Sequence, residues 1–270
     1  MSINNLYDIV ICVGPKDADY IDKQIEYTKS NIIGYRNIYL ICSDPNIVID
    51  DCIVIDENIF PFNLNTVSKF HGNLERNGWY LQQLLKLYAG KVIPNILERY
   101  LVIDADTFFL KPTIFVEKDK CLYNFGTEYC QPYFKHMTLL DKELIKVDKN
   151  KSGICHHMIF ETKYIDEIIS KIENNHNDKF YNVFLKLVTK RTGSGASEYE
   201  IYFNFMLKNH SDKIKIRRLK WRDARRVIED QDFDYISSHW GLRTGAWRRK
   251  RHRGRKGRKG RYITWRTTRR

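Results

Sequence analysis

An apolar run that stops at two carboxylates, Arg99-Tyr-Leu-Val-Ile-Asp-Ala-Asp-Thr-Phe-Phe-Leu-Lys-Pro112, sets the terms for any fold this chain can adopt. Leu101, Val102 and Ile103 put no polar group on either face, the pattern of a strand covered on both sides, as in parallel sheets. Such a sheet needs helices above and below it. Asp104 and Asp106 follow where the strand leaves the sheet. Side chains two apart along an extended segment point the same way, so both carboxylates face one small volume. Ligands of open α/β sheets bind beyond the carboxyl ends of the strands. Two convergent carboxylates there suit a hard divalent cation, which takes oxygen ligands and keeps positions open for substrate phosphates. Asp is also a common turn residue, so a plain turn remains an equal reading of the pair.

The preceding residues supply the alternation such a sheet requires. Residues 7–13, 36–42 and 52–55 read as strands and 17–31 as a helix. Over residues 77–90, Leu81, Leu84, Leu85 and Tyr88 recur at helical spacing and face the core, while Trp79, Gln83 and Lys86 fall on another face and Gly90 reads as the helix stop. The expected class is α/β, a mixed, mainly parallel sheet flanked by helices. The first strand ends in Val13-Gly-Pro-Lys-Asp17, and neither G-x-x-x-x-G-K-[ST] nor G-x-G-x-x-G occurs. A nucleotide bound here is therefore held by a metal, a lysine and base contacts rather than by a glycine-rich phosphate loop.

The net charge of +13 belongs to one end of the chain. Residues 241–270 hold fourteen Lys or Arg and no Asp or Glu, which leaves the first 240 residues at −1. Glycines and like charges deny the end of the chain an apolar face, so 1–246 reads as one domain and 247–270 as a disordered basic tail. No apolar run approaches the roughly 20 residues of a membrane span, and no basic-then-apolar leader opens the sequence. The expectation is a cytoplasmic protein without a transmembrane segment, or one peripheral to a membrane. The six cysteines lie mostly in apolar, strand-like segments without a C-x-x-C pair and read as buried thiols, although Cys121 and Cys130 can pair if the chain is luminal.

In order along the chain, Val13-Gly-Pro15, Gly78-Trp-Tyr-Leu-Gln-Gln-Leu-Leu-Lys86, Asp104-Ala-Asp106, Ser152-Gly-Ile-Cys-His-His-Met-Ile-Phe160, Ser197-Glu-Tyr-Glu200 and Ser238-His-Trp240 resemble a GT-A-fold, metal-dependent glycosyltransferase. The chain is similar to little-characterised bacterial and large-virus sugar transferases of that group. The resemblance implies a Rossmann-like nucleotide-diphospho-sugar transferase fold, Mn²⁺ or Mg²⁺ as cofactor, a UDP- or GDP-linked sugar as donor, and a glycan or other hydroxyl as acceptor in a hexosyltransferase-class reaction. It implies that Asp104 touches the ribose or a metal-bound water, that Asp106 ligates the cation, and that His239 supplies a third metal ligand. It also places Val13, Gly14, Gln83, Lys86 and Ala105 beside the two aspartates in the donor site. Lys86 would reach a phosphate oxygen as a point charge; the plainer reading is a solvated surface lysine, as His239 packed on Trp240 is for that residue.

Ser197 and Glu200 match the S-x-x-E capping box ahead of an apolar helix, which accounts for Glu200 structurally. Glu198 has no such account, and from its place at the helix N-terminus beside the glycine-rich loop 192–196 it is the expected general base for the acceptor hydroxyl, with Glu200 second; the plainer reading makes both glutamates caps or dipole partners. Strand alternation sends His156 and His157 to opposite faces, so only one points into a cleft. The resemblance places that strand on the acceptor side, making His156 or His157 an alternative base or sugar contact; a satisfied core histidine is an equal reading of either. Asn124, Gly126 and Glu128 read as sugar contacts or as turn residues. The tail suits any polyanion, whether RNA, DNA, an acidic glycan or an anionic membrane surface, so a nucleic-acid-binding protein is a second class of function. A metal-dependent nucleotidyltransferase or phosphoesterase is a third.

Overall fold

The structure, a computed structural model, describes residues 6–15, 17–45, 47–225 and 232–238. His239, Trp240 and the 247–270 tail lie outside the described residues, and so do the expectations placed on them. The chain runs β1 (Tyr7–Val13), α1 (Ala18–Asn31), β2 (Ile32–Ile33), β3 (Tyr35–Cys42), β4 (Cys52–Asp56), α2 (Leu64–His71), α3 (Asn77–Val92), β5 (Arg99–Ile103), β6 (Thr107–Phe109), β7 (Thr113–Ile114), β8 (Val116–Glu117), β9 (Lys120–Tyr123), α4 (Gln131–Leu140), β10 (His157–Glu161), α5 (Thr162–His176), α6 (Phe180–Lys186), α7 (Glu198–Asn209), β11 (Ile214–Ile216), β12 (Trp221–Asp223) and β13 (Tyr235–Ser237).

Five strands form the main sheet in the order β10-β5-β1-β3-β4. β5, β1, β3 and β4 are parallel, and β10 closes the edge antiparallel to β5. This is the mixed, mainly parallel sheet flanked by helices that the alternation predicts. All of β1 is buried, as are Tyr100–Ile103 of β5, in keeping with apolar strands covered on both faces. The one carboxylate inside β1, Asp8, is held by a two-point contact from Arg36 (3.0 and 2.6 Å) and by the backbone N–H groups of Asn37 and Leu97. Those donors make a buried charge tolerable. The six cysteines are free thiols, Cys121 and Cys130 included. No helix among the described residues is long and apolar enough to cross a membrane.

β3 and β5 flank β1 on opposite sides, so the strand order reverses between β1 and β5, the place beyond whose carboxyl ends open α/β sheets bind their ligands. Val13 and Gly14 stand at the end of β1, Asp104 at the end of β5. α3 differs from expectation in running through Gly90 to Val92. A Cβ at residue 90 would come within 2.7 Å of the Tyr100 ring and would collide with the Thr162 side chain, so the glycine allows α3 to lie close on β5 and the start of α5. A second, small sheet in the order β12-β13-β6 stands beside the end of β5, with β6 beginning directly after Asp106. Of its three strands the sequence suggests β13, within the strand-like residues 233–238, whereas β6 and β12 are too short to show a period.

Candidate metal site at the end of β5

Asp104 is the hub of the site, and its two oxygens have different company. Oδ1 accepts hydrogen bonds from Lys86 Nζ (2.6 Å) and the Tyr199 hydroxyl (2.8 Å). Lys86 also reaches Glu198 Oε1 at 2.8 Å, with its ammonium 4.6 Å from the centre of the Tyr199 ring. The second face of α3 is thus buried against the start of α7, Lys86 being 3% and Glu198 4% exposed. Gln83, one turn before Lys86, accepts the backbone N–H of Glu198 at 3.2 Å and ties the two helices together.

The charges follow from this packing. Burial alone would discharge Lys86, but Asp104 and Glu198 outweigh it and keep the ammonium protonated well above its ordinary range. Burial likewise opposes ionisation of Asp104, yet the Lys86 ammonium, with His156 behind it, holds this carboxyl well below the usual carboxylate range. Glu198 is pushed up by burial, with Lys86 opposing and Asp104 adding to the rise. Of the two acids sharing Lys86, Glu198 is the weaker.

Oδ2 of Asp104 lies 3.3 Å from His156 Nδ1. His156 precedes β10 with φ +61, a left-handed conformation uncommon outside glycine, and its carbonyl accepts the Asp104 N–H at 2.9 Å. His157 leaves on the opposite side, packed edge-on against Phe109, Phe115 and Tyr235, where burial lowers its pKa to about 3. Burial works against the charge of His156 too, but Asp104, Asp106 and Asp223 raise its pKa to about 9. Asp106 is reached from the small sheet: Ser237 Oγ lies 3.4 Å from its Oδ1, and Ser238 N–H donates to its carbonyl at 2.7 Å. Asp104, Asp106 and His156 each present a ligand atom, all within 4.8 Å of one another, and this is the one such group among the described residues.

Residues 35–251 match the model of a family described as "Family of unknown function (DUF6492)". The chain belongs to the DUF6492 family. All three residues of the cluster, and Lys86, Glu198 and Tyr199 around it, fall inside the DUF6492 match, whereas β1 with Val13 and Gly14 precedes it. No curated protein matches this DUF6492 chain. Among solved structures, the apo form of mouse xyloside xylosyltransferase 1 is similar at a TM-score of 0.47 and 8% identity, over 88% of this chain and 99% of that one.

Of the residues singled out from sequence, Gln83, Lys86, Asp104, Asp106, His156 and Glu198 come together in this DUF6492 chain. Ala105 is buried between the two aspartates. Glu200 points elsewhere, its carboxylate accepting from Ser152 Oγ (2.6 Å) and Asn204 Nδ2 (2.8 Å). Half of the expected capping box is present: Ser197 accepts the Glu200 N–H, while the Glu200 side chain serves Ser152 and Asn204. Asn124 donates to the Tyr235 hydroxyl at 3.0 Å, which makes it a brace for β13. Gly126 bridges to Ser152, and a Cβ there would sit 2.8 Å from the Ile154 carbonyl. Glu128 is partly buried, its pKa raised by burial with His156 opposing. Sequence reasoning passed over Tyr199, Trp221 and Asp223. Trp221 lies edge-on to the His156 ring at 4.8 Å, and Asp223 Oδ1 is 3.9 Å from His156 Nε2. The i, i+2 spacing of Trp221 and Asp223 was the available signal, but only the fold shows what that edge faces.

Proposed function

We propose that this chain is a metal-dependent glycosyltransferase of GT-A type, transferring a sugar from a UDP- or GDP-linked donor to an acceptor hydroxyl. The observation carrying this reading is the convergence of Asp104, Asp106 and His156 at the carboxyl end of β5, where the strand order reverses next to β1. Two carboxylates and one imidazole fit Mn²⁺ or Mg²⁺, the nitrogen favouring the more borderline Mn²⁺. A bound cation supplies Lewis-acid neutralisation of the leaving diphosphate.

The remaining work falls to the chain's own residues. Lys86 and Tyr199 occupy one oxygen of Asp104 and so turn the other toward Asp106 and His156. The Lys86 charge is taken up by Asp104 and Glu198, so its part in this reading is to hold Asp104 in place. On this reading Val13 and Gly14 at the end of β1, Ala105 after β5 and Gln83 within α3 belong to the donor side. In this reading His156 serves the cation rather than the acceptor. Glu198 anchors Lys86, and Glu200 ties α7 to the loop before β10.

The test is a screen of UDP- and GDP-sugars for Mn²⁺-dependent rises in Tm and for release of nucleoside diphosphate, with Asp106→Ala as control. A metal-dependent shift with one donor, lost in Asp106→Ala, is expected. No shift with any nucleotide-sugar, or a variant that responds like the parent, overturns the assignment. Release of pyrophosphate or inorganic phosphate instead would mark a nucleotidyltransferase or phosphoesterase.

A further inference from the structure

We propose that the acceptor of this chain is a carbohydrate, seated between one face of α3 and the loop 124–130, with Trp79 against a sugar ring and Glu128 accepting a hydrogen bond from a hydroxyl. The inference rests on the transferase reading above and names the acceptor that reading leaves open. Trp79, Gln83 and Lys86 stand at i, i+4 and i+7 on α3, which puts them on one face of the helix. Lys86 meets Asp104 and Gln83 meets the start of α7, so this face looks toward the metal cluster. Trp79 continues it about 10 Å further along the axis, seven residues at about 1.5 Å each. The Trp79 ring is half-buried; Arg76 lies over it with Cζ 4.5 Å from the ring centre, and Tyr133 stands 6.5 Å away at 30°. Arg76 in turn donates to Ser194 Oγ at 2.7 Å. A flat aromatic surface with polar groups at its rim complements a sugar ring, which has an apolar C–H face and an edge of hydroxyls. Gln83, one turn nearer the cluster, leaves its buried Nε2 donor without a partner among the described residues.

The loop supplies the facing wall. Gly126 and Ser152 exchange backbone hydrogen bonds of 2.8 and 2.9 Å, which pins the loop to the segment that leads into His156. At its other end Cys130 Sγ donates to the Ser194 carbonyl at 3.8 Å, and Tyr133, at the start of α4, opens onto Trp79. Glu128 lies midway between these anchors. Its side chain is partly buried and makes no hydrogen bond or ion pair among the described residues, while His156, Asp223 and Glu200 are near enough to act on its charge. Asn124 is taken up by Tyr235 and Gly126 by Ser152, so of these three loop residues it is Glu128 that is left for a ligand. A partly desolvated carboxylate regains what it lost in water when a hydroxyl donates to it. A saccharide reaching from Glu128 to Trp79 has one end beside the cluster and the other on the aromatic surface. An acyl chain has nothing to offer Glu128 or Arg76, which favours a saccharide over a lipid.

The experiment is saturation-transfer difference NMR of glucose, galactose, mannose, xylose, lactose and maltose with the full chain, alone and with Mn²⁺ and UDP or GDP, for the parent, Trp79→Leu, Trp79→Phe and Glu128→Ala. Binding of at least one sugar is expected, with saturation strongest on the protons of one ring face. Glu128→Ala and Trp79→Leu are expected to weaken it about tenfold, and Trp79→Phe, which keeps a ring, by less. Glu128→Ala removes a loop side chain without a partner in the fold, so it tests the site where Trp79→Leu also disturbs packing. A transfer assay from UDP- and GDP-sugars compares the same saccharides with a serine peptide and a long-chain alcohol. No saccharide binding under either condition, binding that Trp79→Leu and Glu128→Ala both leave as in the parent, or product on the peptide or alcohol alone overturns the proposal. A Mn²⁺-dependent response to a nucleotide-sugar without saccharide binding overturns this subsite and leaves the transferase standing. Saccharide binding without any nucleotide-sugar response overturns the transferase and the acceptor role with it.

Discussion

Lys86 Nζ lies 2.6 Å from Asp104 Oδ1, a buried lysine holding one oxygen of the strand-end carboxylate and leaving the other to face His156. The same ammonium holds Glu198, so a single cation pairs with two largely buried acids and ties α3, β5 and α7 together around the site.

Lys86→Met should therefore be severe. Removing one partner of a buried ion pair leaves the others unpaired in a poorly solvated place, a change that costs about 3–5 kcal/mol. Urea unfolding of the variant is expected to show a loss of that order. A loss below about 1 kcal/mol, the size typical of an exposed pair, would mean the network does not exist in solution.

Glu198 separates two roles by chemistry. As the anchor of Lys86 it needs only an acceptor oxygen, so Glu198→Gln should retain transfer within about tenfold of the parent, whereas Glu198→Ala loses both activity and stability. As the general base it would need its charge, and Gln would cost about 10²–10⁴-fold in kcat. Steady-state rates for the two variants decide between them.

Stability should fall on mild acidification. Burial lowers the pKa of His71, of His136 to about 4 and of His157 to about 3, so these rings stay neutral in the native state while the unfolded chain takes up protons near pH 6.5. The unfolded state binds more protons throughout that window. The contribution of these three histidines is thus complete above about pH 6.5 and declines as pH drops toward each folded value, by up to about 1.4 kcal/mol per unit for each. His136 Nε2 lies 2.9 Å from the Phe184 carbonyl, and Gln keeps a donor at that reach. Urea midpoints between pH 7 and 4.5 should show a shallower decline in His136→Gln; an unchanged slope would reject this source of acid sensitivity.

The opposite shift at His156 predicts competition between a proton and the cation. With its pKa raised to about 9, His156 is charged at neutral pH, and Nδ1 must lose its proton before it can ligate. Apparent Mn²⁺ affinity should rise about tenfold per pH unit from 7 toward 9, with close to one proton released per ion. Calorimetry in buffers of different ionisation enthalpy counts that proton. Binding independent of pH over this range would exclude His156 as a ligand.

The local pattern was enough for the elements that are apolar on both faces or strongly periodic. Residues 7–13, 36–42 and 101–103 could be little but buried parallel strands, and the leucines of α3 repeat at helical spacing over several turns. The strand-end position of Asp104 and Asp106 was legible for the same reason, because where an apolar run stops is a property of neighbours in sequence. What lay beyond reach depends on partners far along the chain. Lys86 reads as a surface lysine until α7, more than a hundred residues later, brings Glu198 and Tyr199 against it. Gly90 reads as a helix end until Tyr100 and Thr162 crowd it. His156 became a third potential ligand through one left-handed residue and a brace from β12. Periodicity reports which face of a segment avoids water, and that is a local matter. Which charged group stands opposite that face is set only when the layers pack, since an ion pair forms wherever folding brings its members together.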